Sequence, residues 1–147
     1  MNTSMLKNIL NTEAGFAALA LRVPVGVIFA AHGAQKLFGW FGGYGLEGTG
    51  GWMESIGLAP GVLMAFLAGS AEFFGGLALI LGLLTRPAAF ALSIAMLVAI
   101  FSVHFANGLF MSNNGYEFGL DLLAASVSLL LSGAGKASID QLIARKL

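Results

Sequence analysis

The stretch AAHGAQKLFGWFGGY, Ala30 to Tyr44, decides how the chain is read. It closes the first long apolar segment and carries His32 and Lys36 near its end. Side chains four positions apart share one face of a helix. Ionisable groups in a lipid-soluble segment are costly, so they face a bundle interior and need partners there. The functional question becomes where those partners lie.

Composition sets the frame. The chain has 147 residues, 58% hydrophobic and 10% charged, with a mean hydropathy of +0.89. Soluble domains carry roughly 25% charged and 45–50% apolar residues. The departure is toward a membrane protein, and the length suits one domain over residues 1–147. Net charge is zero, which points away from nucleic acid and from strongly anionic partners. There is no cysteine. That excludes thiol catalysis, an intrachain disulfide relay, thiolate metal sites and iron–sulfur ligation. A redox role would need a bound cofactor, a metal or a partner subunit. The first fifteen residues are polar and mixed, and the apolar run behind them is too long for a signal-peptide core. The first apolar segment is therefore expected to be a retained membrane helix.

Four spans are expected, at about residues 16–38, 60–83, 88–109 and 116–132, the first three near the length a bilayer needs and the fourth short. Arg22 and Pro24 interrupt the first near its start, and Arg22, near the inner face, is expected to snorkel to the headgroups. The Gly-rich connection Gly39–Gly61 carries Trp40, Phe41, Tyr44 and Trp52, and aromatic residues of this kind favour the headgroup level. Within it, Gly50–Leu58 reads as a short interfacial helix with Trp52, Met53 and Ile56 toward lipid. Leu84-Thr85-Arg86-Pro87 reads as a tight turn, and Asn113-Asn114-Gly115 as another. The tail, residues 133–147, reads as a short amphipathic helix with Lys136, Arg145 and Lys146. The expected fold is all-α, a four-helix transmembrane bundle with one interfacial helix after the first span.

Arg86 and both tails are basic, whereas the Gly/aromatic connection carries Glu47 and Glu54. Lys and Arg excess marks the cytoplasmic side. Both termini are expected there. With a rise of about 1.5 Å per residue, His32 and Lys36 then sit in the outer third of the first span. His104 reaches a similar height on the third, and Glu117 and Asp121 share one face of the outer turns of the fourth. Glu72 lies lower, near the midplane. The six groups outline a cup that opens outward.

An ionisable residue at the centre of a span costs about 3 kcal/mol on insertion scales, so these groups must pair. Two readings stand side by side. In one, the cluster is structural glue that fixes helix register. In the other, it is a ligand site. Glu72 is either protonated or paired with an imidazole, Lys36 or a bound cation. His32, Glu72, His104 and Glu117 are candidate metal ligands, although their spacing is not diagnostic. No dinucleotide, P-loop or nucleophile-elbow motif occurs.

HGAQKLFGWFGG (His32–Gly43), AEFFGGLALILGLLTR (Ala71–Arg86) and VHFANGLFMSNNGYEFGL (Val103–Leu120) together resemble the DoxX family of small bacterial membrane proteins. The resemblance spans about residues 16–134 and marks Gln35, Asn107 and Tyr116 beside His32, Lys36, Glu72, His104 and Glu117. It implies a four-helix domain in the bacterial cytoplasmic membrane, related to the DoxD subunit of an archaeal thiosulfate:quinone oxidoreductase. A quinone is thus the implied ligand, with a membrane or periplasmic oxidoreductase as partner. The competing readings are a small-solute or metal-ion carrier and a structural subunit, including a homo-oligomer.

Overall fold

The computed structural model describes residues 2–147; Met1, the first residue of the expected tail, lies outside them. The tail folds into α1 (Thr3–Leu10), started by the Asn2 side chain, which accepts from the Ser4 amide at 3.3 Å. Behind it, α2 (Ala17–Phe38) runs through Pro24 without ending. The Gly-rich connection forms a 3-10 turn, Trp40–Gly42, and then α3 (Gly45–Ser55). The remaining helices are α4 (Gly61–Leu81), α5 (Thr85–Ala99), α6 (Glu117–Ser132) and α7 (Ile139–Ala144). Past its end α5 continues as a π-helical turn, Ile100–His104, and a 3-10 turn, Phe105–Asn107. The fold is all-α, with no strand among the described residues.

Three helical stretches are long and apolar enough to cross a membrane: Ala17–Phe38, Gly61–Leu81 and Thr85–Asn107. The first two agree with the expected spans to within two residues. α6 has 16 residues, about 24 Å at the usual rise, less than the roughly 30 Å of a hydrocarbon core.

Glycines let α2 and α4 approach closely. A Cβ at Gly26 would stand 2.6 Å from the Gly76 carbonyl oxygen, and one at Gly33 would enter the backbone of Phe73. Small residues at such crossings replace side-chain packing by backbone contact, which suits helices in lipid. The core around this seam joins Val25 and Phe29 of α2, Leu79 of α4, Leu92 and Met96 of α5, and Leu122 and Leu129 of α6.

Two readings of the sequence change. The interfacial helix starts five residues earlier than expected, at Gly45 rather than Gly50. Trp52 and Ile56 are exposed as foreseen, but Met53 is buried. Gly50 abuts Val62 and Gly61 so closely that α3 lies against the start of α4, which turns Met53 inward. Thr85-Arg86-Pro87 is not a turn but the first turn of α5. Proline is tolerated there because the amide it lacks would have no helical partner. The neighbouring free amides of Leu84 and Thr85 donate to the Asp140 carboxylate at 2.7 and 2.9 Å.

Arg22 also departs from its expected place at the headgroups. It is fully buried, 0% exposed. Its Nε donates to the Ala134 carbonyl at 2.9 Å, and Nη1 donates to Leu79 and Ile80 at 3.0 and 2.8 Å. Nη2 donates to Lys136 and Ala137 at 3.4 and 2.5 Å. Arg86 does the same for α6, donating to the Leu130 and Leu131 carbonyls at 2.8 and 2.6 Å. Helix C-termini leave carbonyls without helical donors and carry partial negative charge, so a guanidinium satisfies both needs.

Arg22→Met keeps the stem and removes every donor. Leaving several buried carbonyls unpaired costs about 1–3 kcal/mol each before relaxation. The expected outcome is loss of the cooperative thermal transition of the detergent-solubilised protein, or a melting point at least 10 °C lower. An unchanged transition would show that the carbonyls find other donors.

Candidate functional site

The last turn of α2 and the middle of α4 meet through one ion pair. Lys36 Nζ lies 2.6 Å from Glu72 Oε2. Glu72 is 4% exposed. The close approach of the helices brings the pair together: a Cβ at Gly69 would lie 2.8 Å from the Leu37 side chain and 3.2 Å from the Lys36 Cβ, so the glycine lets the end of α2 lie against α4. Glu72 follows three residues later, on the same face of α4. Of the partners open to Glu72 from sequence, the structure supplies Lys36.

Beside the pair is a cavity of about 170 Å³. His32, Lys36, Glu72 and His104 line it, together with apolar Phe29, Met96, Phe118 and Leu122. Asn114 and Gly115 form part of its wall. An apolar cavity of about 150 Å³ is known to admit a benzene ring, so this space is of single-ring size.

His104 arrives through the π-helical turn Ile100–His104. One extra residue in a turn shifts the phase of the residues behind it, and such turns are frequent at functional sites. His104 Nδ1 lies 2.9 Å from the Asn114 carbonyl oxygen. A carbonyl only accepts, so Nδ1 carries the proton of this hydrogen bond. Asn107 Nδ2 donates to the same oxygen at 3.1 Å. His32 sits on the other wall, its ring 6.0 Å from that of Phe118.

The other expected residues lie around this centre. Glu117 Oε1 accepts from the Met111 amide at 2.9 Å and closes the connection 108–117 on itself. Tyr116 stacks on Phe105 with ring centres 5.6 Å apart. Asn107 serves the same connection. Gln35 donates to the Phe41 carbonyl at 3.3 Å and, with Lys36, lines a second cavity beneath the Gly39–Gly45 segment. Asp121 is exposed and is not among the residues lining the first cavity. No three His, Asp or Glu side chains among the described residues converge as metal ligands would, so His32, Glu72, His104 and Glu117 do not form one such group.

Sequence reasoning gave no site role to Phe29, Met96 or Phe118. Their apolar character marks them as core, and only the geometry shows that they border a space.

An all-helical chain with three bilayer-length apolar helices and a buried ion pair between two of them is a membrane protein. It belongs to the DoxX family, whose model matches residues 17–105. The relatives agree over nearly full length. "Inner membrane protein YqjF" of Escherichia coli is 37% identical over 134 residues, covering 87% of this chain and 92% of that protein. "Putative oxidoreductase CatD" of Bacillus subtilis is 32% identical over 134 residues, covering 91% and 92%. A Haemophilus influenzae protein is 36% identical over 129 residues, covering 86% and 90%. No solved structure gives a significant match.

Removing one partner of a buried ion pair leaves an uncompensated charge, at about 3–5 kcal/mol, whereas replacing both by apolar residues is often neutral. Lys36→Met is therefore expected to lower the melting point sharply. Lys36→Met with Glu72→Met is expected to restore most of it. Equal loss in the single and double variants, measured by thermal unfolding in detergent, would assign the defect to packing instead.

Proposed function

We propose that the chain is a four-helix bundle of the bacterial inner membrane that binds a quinone ring in the Lys36–Glu72 cavity and serves a membrane oxidoreductase. The observation that carries this reading is a single-ring space bordered at once by an ion pair, two imidazoles and aromatic walls. α6 is the fourth span. It packs on α5 and α2 through Leu122 and Leu129, and the bilayer thins around its short length. Both termini are cytoplasmic, as the basic Arg86 turn and tails favour, and the cavity therefore lies toward the outer face. The names carried by CatD and YqjF support an oxidoreductase setting and the inner membrane respectively.

The residues fit such a ring. Phe29, Phe118 and Met96 offer apolar contact to its faces. Lys36 has two N–H donors beyond the one given to Glu72, and one of them suits a ring carbonyl. His104 Nε2 accepts from a ring hydroxyl, with Nδ1 held by Asn114. Glu72 beside Lys36 can hold or release the proton that accompanies a change in ring oxidation state. A bound quinone would supply the electron chemistry, for which the chain has no group of its own.

The test is a thermal-shift titration of the purified protein with a short-chain ubiquinone. A saturable rise in melting temperature is expected, with His104→Ala weakening the apparent affinity at least tenfold. Folded protein that shows no shift overturns the reading.

A further inference from the structure

The second cavity lies beneath the Gly39–Gly45 segment and measures about 460 Å³. Gln35, Lys36, Gly43, Tyr44, Thr49 and Trp52 are among its walls. Three observations mark it as more than a fold in the surface. Lys36 lines this cavity and the ion-pair cavity alike, and is its one formally charged wall residue. Thr49 is 6% exposed, and its hydroxyl has no hydrogen-bond partner among the described residues. Tyr44 is 84% exposed although it borders a concave surface, and Trp52 is also exposed. The cavity thus offers a cation, an unspent hydroxyl and two aromatic faces.

We propose that this cavity is a second binding site, for a small aromatic anion whose carboxylate draws Lys36 away from Glu72. The ring lies against Trp52 and Tyr44, and the carboxylate takes Lys36 Nζ and the Thr49 hydroxyl. The proposal stands whether or not a quinone binds in the first cavity.

A second step follows from charge. Glu72 is 4% exposed and loses its one cationic partner among the described residues when Lys36 turns to the anion. A buried carboxylate without a partner takes up a proton. Glu72 is faced by Lys36 and His32 from α2 and by His104 from the end of α5, whereas α6 presents only Phe118, Gly119 and Leu122 to that cavity. On the α3 side, Glu47 and Glu54 are exposed, and Glu54 accepts from the Gly61 amide at 2.7 Å, at the other end of α4. The anion and one proton enter together, so the site binds the elements of a neutral acid. Lys36 is the movable wall between the two cavities.

The experiment uses the full chain in lipid nanodiscs, in a Trp40→Phe background that leaves Trp52 as the reporter. Sodium benzoate is the probe and sodium acetate the non-aromatic control. Saturable quenching by benzoate is expected, with acetate at least tenfold weaker. Thr49→Val and Lys36→Gln should each weaken benzoate at least tenfold. Calorimetry in two buffers of different ionisation enthalpy should report one proton taken up per benzoate. In Glu72→Gln that uptake should vanish and benzoate should bind at least tenfold tighter, because Lys36 is already released.

No saturable quenching of folded protein overturns the site, as does affinity unchanged by Thr49→Val. Equal binding of acetate overturns the aromatic assignment. Proton uptake that persists in Glu72→Gln overturns the role of that residue. Loss of a short-chain ubiquinone response with benzoate binding intact would refute only the first cavity's reading.

Discussion

Within a bilayer no water is available to a backbone carbonyl, so each must find a donor inside the protein. Arg22 answers that constraint at the end of the molecule where α2 begins and α4 ends. One guanidinium gathers the last carbonyls of α4 and those of the 134–137 segment. From the other side, Asp140 accepts the free amides at the start of α5. A cation at a helix C-terminus and an anion at a helix N-terminus both complement the helix dipole. The connection between α4 and α5 is thereby held between two opposite charges. The C-terminal segment, read from sequence as a short amphipathic helix, forms one at Ile139–Ala144 and packs into the fold through Asp140. With that end fixed, the α2–α4 seam is set along its length, and so is the height at which Lys36 meets Glu72.

The two ends of the bundle use charge differently. At the Arg22 end every donor is spent on backbone, and the side chain is sealed from any space. At the Lys36 end the ammonium gives one bond to Glu72, keeps two donors, and borders a cavity on each side. Buried groups that are fully satisfied rigidify a structure, whereas incompletely used ones are where a ligand adds partners. The contrast supports a structural role for the first end and a binding role for the second.

How far the sequence could lead depended on whether a partner was a side chain or a backbone atom. Hydropathy placed four spans, and three of them are long apolar helices, because lipid demands length and apolarity together, whereas α6, with 16 residues, falls short of that length. Spacing placed His32 and Lys36 on one face, and depth brought Glu72 and His104 to the same region. Those four residues line one cavity. Arg22 was misplaced because its partners are carbonyls, which every residue carries and no pattern reveals. Glu117 illustrates the same limit: its carboxylate is used by the Met111 amide, a contact set by the path of a connection. The phase of His104 depends on a π-helical turn, and regular helical geometry cannot anticipate that extra residue. The start of α3 was missed because glycines at 45, 48, 50 and 51 argue against a helix on propensity, and packing on α4 overrides them.

The ion pair itself is not explained by stability. A buried pair replaced by apolar residues of similar volume is often no less stable. Nor does helix register require it, since Gly26, Gly33 and Gly76 already fix how α2 and α4 cross. What the pair adds is a charge that can change partners. Gly69 lets the end of α2 lie close against α4, and Lys36 lines both cavities. A rigid aliphatic residue at position 36 would offer neither cavity a charge, while a long flexible cation can turn toward either. Flexibility of the stem, a single strong partner and open space on both sides are the physical conditions for a movable charge, and Lys36 meets all three.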